Sequence, residues 1–147
     1  MRSVFCAALL VAACAPGDRS RASTPAGGGP AQKYAGTWEG RSFRSESDTG
    51  TPIRIVAHVA QDGTLRSTLL FTTVQAPPIP IRAREVTETS LVSDIGPYHS
   101  PTANADVVTR TTGKLFGDSL NGTFVMRPAA GGNAIMNGTF RTKRVTQ

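Results

Sequence analysis

The feature that most constrains the fold is a two-residue alternation of apolar and polar side chains, which recurs between residues 36 and 145. No stretch of that region shows the 3.6-residue period of an amphipathic helix. Because successive side chains of a strand point to opposite faces, the alternation predicts half-buried β-strands. The predicted strands cover residues 36–44, 53–59, 65–73, 81–88, 89–95, 105–116, 120–126 and 136–145.

Glycine- and proline-rich stretches separate these segments, as turns and loops do. Residues 61–64 hold an Asp-Gly pair, which is typical of a tight hairpin turn. Residues 76–80 contain three prolines and are predicted to be an extended connection, because proline lacks the N–H that a central strand needs. Polar or glycine- and proline-rich composition predicts loops at residues 45–52, 96–101 and 128–133.

Seven to nine short strands at regular spacing favour an all-β antiparallel barrel or sandwich. We expect a small up-and-down β-barrel of about eight strands, because closing the sheet removes its unpaired edges. The domain would cover residues 34–147 of the 147-residue chain.

One element occurs three times: Gly-Thr-Trp at 36–38, Gly-Thr-Phe at 122–124 and Gly-Thr-Phe at 138–140. The glycine and the aromatic residue are two apart, so they share a strand face. A glycine in a strand leaves room for a bend or for a neighbouring ring. We therefore expect Trp38, Phe124 and Phe140 to plug one end of the barrel.

The formal charge is +6, from 16 basic and 10 acidic residues, and the basic residues form no run. A scattered excess favours weak attraction to anionic surfaces such as lipid headgroups. The clustered basic residues with interleaved aromatics that favour nucleic-acid binding are not present in the sequence, so no nucleic-acid partner is expected.

The start of the chain contains Leu-Leu-Val-Ala-Ala-Cys at 9–14, after a short positive and then apolar segment. This resembles the lipobox of a bacterial type II signal peptide. The resemblance implies that residues 1–13 are a signal peptide and that Cys14 is acylated. An ordinary cleavage site, with Ala13 and Ala15 as the small pair, is the alternative. Alanine rather than aspartate at position 15 implies, by the same resemblance, an anchor in the outer membrane facing the periplasm of a Gram-negative cell.

The segment after Cys14 is rich in alanine, glycine, proline and serine, with almost no apolar bulk. Such composition predicts a disordered tether, so residues 14–33 are interpreted as the lipidated cysteine and a flexible linker. The only other cysteine, Cys6, lies in the leader, which leaves no thiol in the barrel domain.

Gly36-Thr37-Trp38 at the first strand, with Arg141 or Arg144 on the last, resembles the lipocalin arrangement. In that family the tryptophan closes one end of an eight-stranded barrel, and an arginine of the final strand packs across it. The resemblance implies the same pairing here, and guanidinium over indole is a favourable geometry.

The sequence offers little for catalysis or metal binding. Its only histidines, His58 and His99, are 41 positions apart, and no nucleophile elbow or glycine-rich phosphate loop is present in the predicted domain. We therefore predict no metal site, no cofactor and no enzymatic activity.

Two functions remain open. In the first, the barrel binds a small apolar or amphipathic ligand through Trp38, Phe71, Tyr98, Phe124 and Phe140. In the second, it is a non-enzymatic structural or assembly accessory that contacts an envelope protein. An apolar interior cavity of about 300 Å³ or more would favour the first function, and a filled interior would favour the second.

Overall fold

The computed structural model describes residues 28–146, and within them eight strands form one closed antiparallel barrel. A short 3-10 helix, Pro30–Tyr34, leads into the barrel. The strands are β1 (Gly36–Phe43), β2 (Thr51–Val59), β3 (Leu65–Phe71), β4 (Ile79–Val86), β5 (Ser90–Ser100), β6 (Ala105–Phe116), β7 (Ser119–Pro128) and β8 (Met136–Val145).

Each strand pairs with the next along the chain, and β8 pairs with β1 to close the barrel. The prediction of a small up-and-down barrel of about eight strands is confirmed. The two-residue alternation determines which face points inward, since Ile53 and Ala57 of β2 and Leu65 and Leu69 of β3 are buried. The predicted signal peptide, Cys14 and most of the predicted linker lie outside the described residues.

The prediction of a loop at residues 96–101 is wrong, because β5 continues through Gly96 and Pro97 to Ser100. Ile95 pairs with Thr109 and Tyr98 pairs with Val107, so β5 holds one extra residue over this interval. This is a β-bulge, which bends a strand without ending it. Gly96 has a φ of +101°, a conformation that glycine adopts without strain.

The extended connection predicted at residues 76–80 is too long, because β4 begins at Ile79 and Pro80 pairs with Thr68. Proline is tolerated near a strand's first residue, where the missing N–H interrupts little of the ladder. The flexible linker predicted to reach residue 33 is also too long. Residues 30–33 form most of the 3-10 helix that leads into β1.

Candidate functional site

The end of the barrel beside the N-terminal helix, here called the closed end, is covered by Tyr34, Trp38 and Arg144. Tyr34 and Trp38 are each 1% exposed. The indole Nε1 of Trp38 donates to the Tyr34 carbonyl (2.9 Å), and the Tyr34 hydroxyl donates to the Thr87 carbonyl (3.0 Å). These bonds fix the helix across the barrel opening.

Arg144 lies over the indole of Trp38, with its Cζ 4.2 Å from the ring centroid. Its guanidinium also donates to the carbonyls of Lys33 and Ala35, and its Nε is 3.2 Å from the Asp118 carboxylate. Arg141, the other candidate for this role, lies instead on the outer face over the Phe43 ring (5.7 Å). The two arginines differ because they are three residues apart, and so have opposite orientations in β8.

The repeated glycine and aromatic residues meet in pairs between β7 and β8. Gly122 pairs with Phe140, and Phe124 pairs with Gly138, so each ring lies beside the glycine of the other element. Trp38 and Phe140 belong to one core cluster, whereas Phe124 packs outside it. The prediction that all three aromatics plug one end is therefore wrong. Phe124 lies four residues further along β7 than Leu120, which is about 13 Å towards the opposite end.

The interior at the closed end contains a cavity of only about 30 Å³. Tyr34, Trp38 and Phe140 line it together with aliphatic side chains and a few hydroxyl-bearing residues, among them Ser93 and Thr111. The Ser93 and Thr111 hydroxyls are 2.9 Å apart and bond to each other. A space of this size has room for about one water molecule and not for a lipid or a drug-sized ligand.

Phe71 and Tyr98 lie together within the barrel, with ring centroids 6.5 Å apart and planes tilted by 50°. Both are partly buried and pack against the core. The Tyr98 hydroxyl is 3.2 Å from the Thr109 hydroxyl, and burial raises the pKa of Tyr98 above its ordinary value despite that bond. The five proposed ligand contacts therefore do not converge on one cavity, since only Trp38 and Phe140 line the same one.

The outer rim at the end opposite the closed end carries an open groove of about 300 Å³. It is bounded by Phe43, Arg44, Asp48, Arg141 and neighbouring residues of β8. The Asp48 carboxylate accepts hydrogen bonds from the backbone N–H groups of Arg44 and Gly50 in its own loop. These bonds lower the pKa of that carboxylate. The groove is charged and open to solvent, unlike the enclosed apolar cavity that would hold an apolar ligand.

The histidines lie on the outer face, His58 on β2 and His99 on β5. His99 contacts the carboxylate of Asp106 at 3.2 Å. Within residues 28–146, no group of three His, Cys, Asp or Glu side chains could hold a metal ion.

Sequence reasoning missed Tyr34, the most deeply buried aromatic residue beside Trp38. Ala31 and Tyr34 are three residues apart, so both fall on one face of a 3-10 helix, and both pack on the core. That spacing was a usable signal, but the surrounding alanine, glycine and proline made the segment look like linker.

Comparison with models of protein families, with curated proteins and with solved structures found no match. The helical structure within residues 28–146 is too short and too polar to cross a membrane.

Proposed function

We propose that the protein is a non-enzymatic accessory of the cell envelope, anchored to a membrane through acyl chains on Cys14, whose barrel acts through its outer surface. The observation that carries this proposal is the filled interior. A cavity of about 30 Å³ is roughly a tenth of the smallest volume typical of ligand sites. A partner protein is the kind of ligand that a solid barrel can still bind.

The polar side chains of the interior support the same function, because they already form hydrogen bonds within the barrel. Ser93 bonds to Thr111, Tyr98 to Thr109, and Thr142 donates to the Leu120 carbonyl (2.7 Å). Within residues 28–146, every buried polar side-chain atom has a hydrogen-bond partner. In this part of the chain no buried polar side chain therefore lacks a partner that a polar ligand could supply.

The anchor is supported by the sequence alone, since Cys14 lies outside the described residues. The Val-Ala-Ala-Cys motif follows a positive start and an apolar segment of signal-peptide length. The barrel itself contains no cysteine, so acylation of Cys14 would leave the mature chain without a free thiol.

Ligand binding in the interior is the weaker candidate. An apolar ligand would have to displace Tyr34 and Trp38, which are held by hydrogen bonds and by Arg144. That would cost the burial of two aromatic side chains, several kcal/mol in total, before any ligand contact formed.

Native mass spectrometry of the protein purified from its own host tests the proposal. The expected spectrum contains the mature chain with acyl groups on Cys14 and no small molecule bound non-covalently. A stoichiometric lipid or other small ligand held by the barrel would overturn the accessory function. A mature chain without acyl groups would overturn the anchor.

Crosslinking in intact cells tests the action through the outer surface. The full chain should crosslink to a particular envelope protein, and a Cys14→Ser variant should lose that product because the barrel is no longer held at the membrane. Equal crosslinking by both chains would show that anchoring plays no part.

A further inference from the structure

The outer surface of the barrel has an uneven distribution of charge. From Ser119 to the end of the chain there are four basic residues and no acidic one. Three of them, Arg127, Arg141 and Lys143, point outward from β7 and β8, since they alternate with the inward-facing residues of those strands. We call the outward faces of β7 and β8, with Lys114 of β6 and Arg41 of β1, the basic wall.

The strand register brings the charges of this wall together. Lys114 pairs with Asn121, Asn121 with Arg141, and Arg141 with Arg41, so these side chains form one row across four strands. At about 4.8 Å between strands, the row is about 15 Å long. Arg41 and Arg141 are directly opposite each other, and like charges in that position destabilise a sheet. The Arg41 guanidinium donates to two carbonyls of the β1–β2 loop (3.0 and 2.9 Å), and within residues 28–146 neither arginine has a carboxylate partner.

Elsewhere on the barrel most outward arginines are paired with carboxylates, although Arg82 of β4 makes no ion pair within residues 28–146 and lies opposite Arg66. Arg54 pairs with Glu39, Arg66 with Asp62, and both Arg84 and Arg110 with Asp94. On the basic wall, Lys114, Arg141 and Lys143 make no ion pair within residues 28–146. Glu39 lies opposite Lys143 in the register, but its carboxylate binds Arg54 (2.7 Å).

Exposed apolar side chains border the wall at the closed end. Phe116 is 65% exposed at the turn between β6 and β7, and Val145 at the end of β8 is 37% exposed. Lys114 points outward two residues before Phe116, and Lys143 two residues before Val145. Apolar tips flanked by lysine are typical of surfaces that lie in the headgroup region of a bilayer.

The chain that carries Cys14 enters the barrel at this same end. The N-terminal helix leads to Gly36, and Thr37 beside it pairs with Val145. Thirteen residues, 15–27, lie between Cys14 and Gly28. A chain of that length and composition spans about 20 Å on average, so an acylated Cys14 would keep the closed end near the bilayer.

We propose that the basic wall, with Phe116 at its closed-end border, lies against the headgroups of an anionic phospholipid bilayer. The inference rests on the proposed anchoring of Cys14, which supplies the proximity. Attraction between the basic wall and the headgroups orients the barrel with β7 and β8 towards the lipid. Strands β2 to β5 then face away from the membrane and are available to a protein partner.

A label that reports distance from lipid tests this orientation. The processed full chain, purified from its host, would be reconstituted in vesicles of phosphatidylcholine alone or with about one third phosphatidylglycerol. A fluorophore is attached at Ser119→Cys on the basic wall, or at Thr68→Cys, a similar outward hydroxyl residue on β3. A quencher carried on lipid headgroups then reports which side faces the membrane.

Quenching at position 119 should exceed that at position 68 at least threefold in the anionic vesicles, and the difference should vanish in 1 M salt because the charges are screened. The triple variant Lys114→Gln, Arg141→Gln, Lys143→Gln should also abolish the difference. Each basic side chain near such a surface contributes about fivefold to membrane association. The charge-matched control, Arg54→Gln, Arg66→Gln, Arg82→Gln, should keep the difference.

Equal quenching at both positions, or stronger quenching at position 68, would overturn the orientation. So would a difference that persists in 1 M salt or in the triple variant of the wall. The intact mass of each sample separates this inference from the proposed function. An acylated chain without the difference refutes only the basic wall, whereas an unacylated chain that shows it refutes only the anchor.

Discussion

At the scale of single residues, the two Gly-Thr-Phe elements show why a short motif recurs in this chain. Each phenylalanine ring lies over the glycine opposite it on the neighbouring strand. A Cβ at Gly122 would be 2.1 Å from the Thr112 carbonyl oxygen, and one at Gly138 would be 2.1 Å from that of Phe43. Glycine is required there because neighbouring backbone, and not only a flexible side chain, occupies the space.

Gly122→Ala should therefore destabilise the fold by about 2–4 kcal/mol, since β6 and β7 would have to separate to accept the methyl group. Gly29→Ala is the matched control, because a Cβ there meets nothing within 4 Å. Urea unfolding of both variants measures the effect. A loss below 0.5 kcal/mol for Gly122→Ala would contradict the close approach of these strands.

Arg144 and Arg141 make a second comparison at this scale, because both are arginines of β8. Arg144→Gln should cost about 2–3 kcal/mol, since it removes the contact with Trp38 and the charged hydrogen bonds to the N-terminal segment. Arg141→Gln should cost less than about 0.5 kcal/mol, because that side chain is on the outer face.

Urea unfolding followed by tryptophan fluorescence makes this measurement directly, because Trp38 is the only tryptophan of the chain. The native emission should shift to longer wavelength in Arg144→Gln alone, as the indole becomes more hydrated. Equal effects of the two substitutions would contradict the assignment of Arg144 to the closed end.

At the scale of elements, β4, β5 and β6 are joined on their outer face by one carboxylate. Asp94 of β5 is only 7% exposed, and it accepts hydrogen bonds from Arg110 of β6 (2.9 Å) and Arg84 of β4 (2.7 Å). The bonds from Arg110 lower the pKa of Asp94 most, Arg84 lowers it further, and burial partly opposes them. The hydrogen bonds of Asp94 thus connect the three strands in the region where β4 and β5 both contain bulges.

The lowered pKa of the Asp94 carboxylate predicts that the stability of the fold depends on pH. Because the folded pKa of Asp94 lies below the unfolded value of about 4, its contribution is present above pH 4 and is lost as the pH falls through the folded value. Asp94→Asn should cost about 1–2 kcal/mol at pH 7 and weaken the loss of stability below pH 4. Asp106→Asn removes the same charge from an exposed pair with His99 and serves as the control. Unfolding by urea between pH 2.5 and 7 gives both curves, and parallel curves for Asp94→Asn and the native chain would refute this role.

At the scale of the whole molecule, closure and filling are linked. The eight strands leave no open sheet edge, and Tyr34, Trp38 and Arg144 cover one end. An eight-stranded barrel is just wide enough for its own side chains to fill it, which is what the cavity of about 30 Å³ reflects.

Phe140→Ala should turn this filled barrel into one with a cavity. The substitution removes a ring that lines the existing space, so it should cost about 3–5 kcal/mol and open room for a small apolar molecule. Binding of benzene, measured by calorimetry, should appear in Phe140→Ala and be absent from the native chain and from Phe116→Ala, whose ring is exposed. Benzene binding by the native chain would show that its interior is not filled.

The sequence by itself determined the class of fold and the inward face of most strands, because a two-residue period is a local property that burial must follow. It also gave the residue types at the closed end, Trp38 and two candidate arginines. The sequence did not predict that β5 continues through Gly96 and Pro97. A bulge that contains glycine and proline has the composition of a loop, and only its pairing with the neighbouring strand distinguishes the two.

Only the tertiary structure decided which arginine meets Trp38, that Tyr34 belongs to the core, and that Phe124 packs outside the core cluster that holds Trp38. Each of these depends on strand register, which pairs residues far apart in the chain and is fixed by the packing of all eight strands together. The same register sets the basic side chains of β6, β7, β8 and β1 in one row, although they are scattered along the sequence.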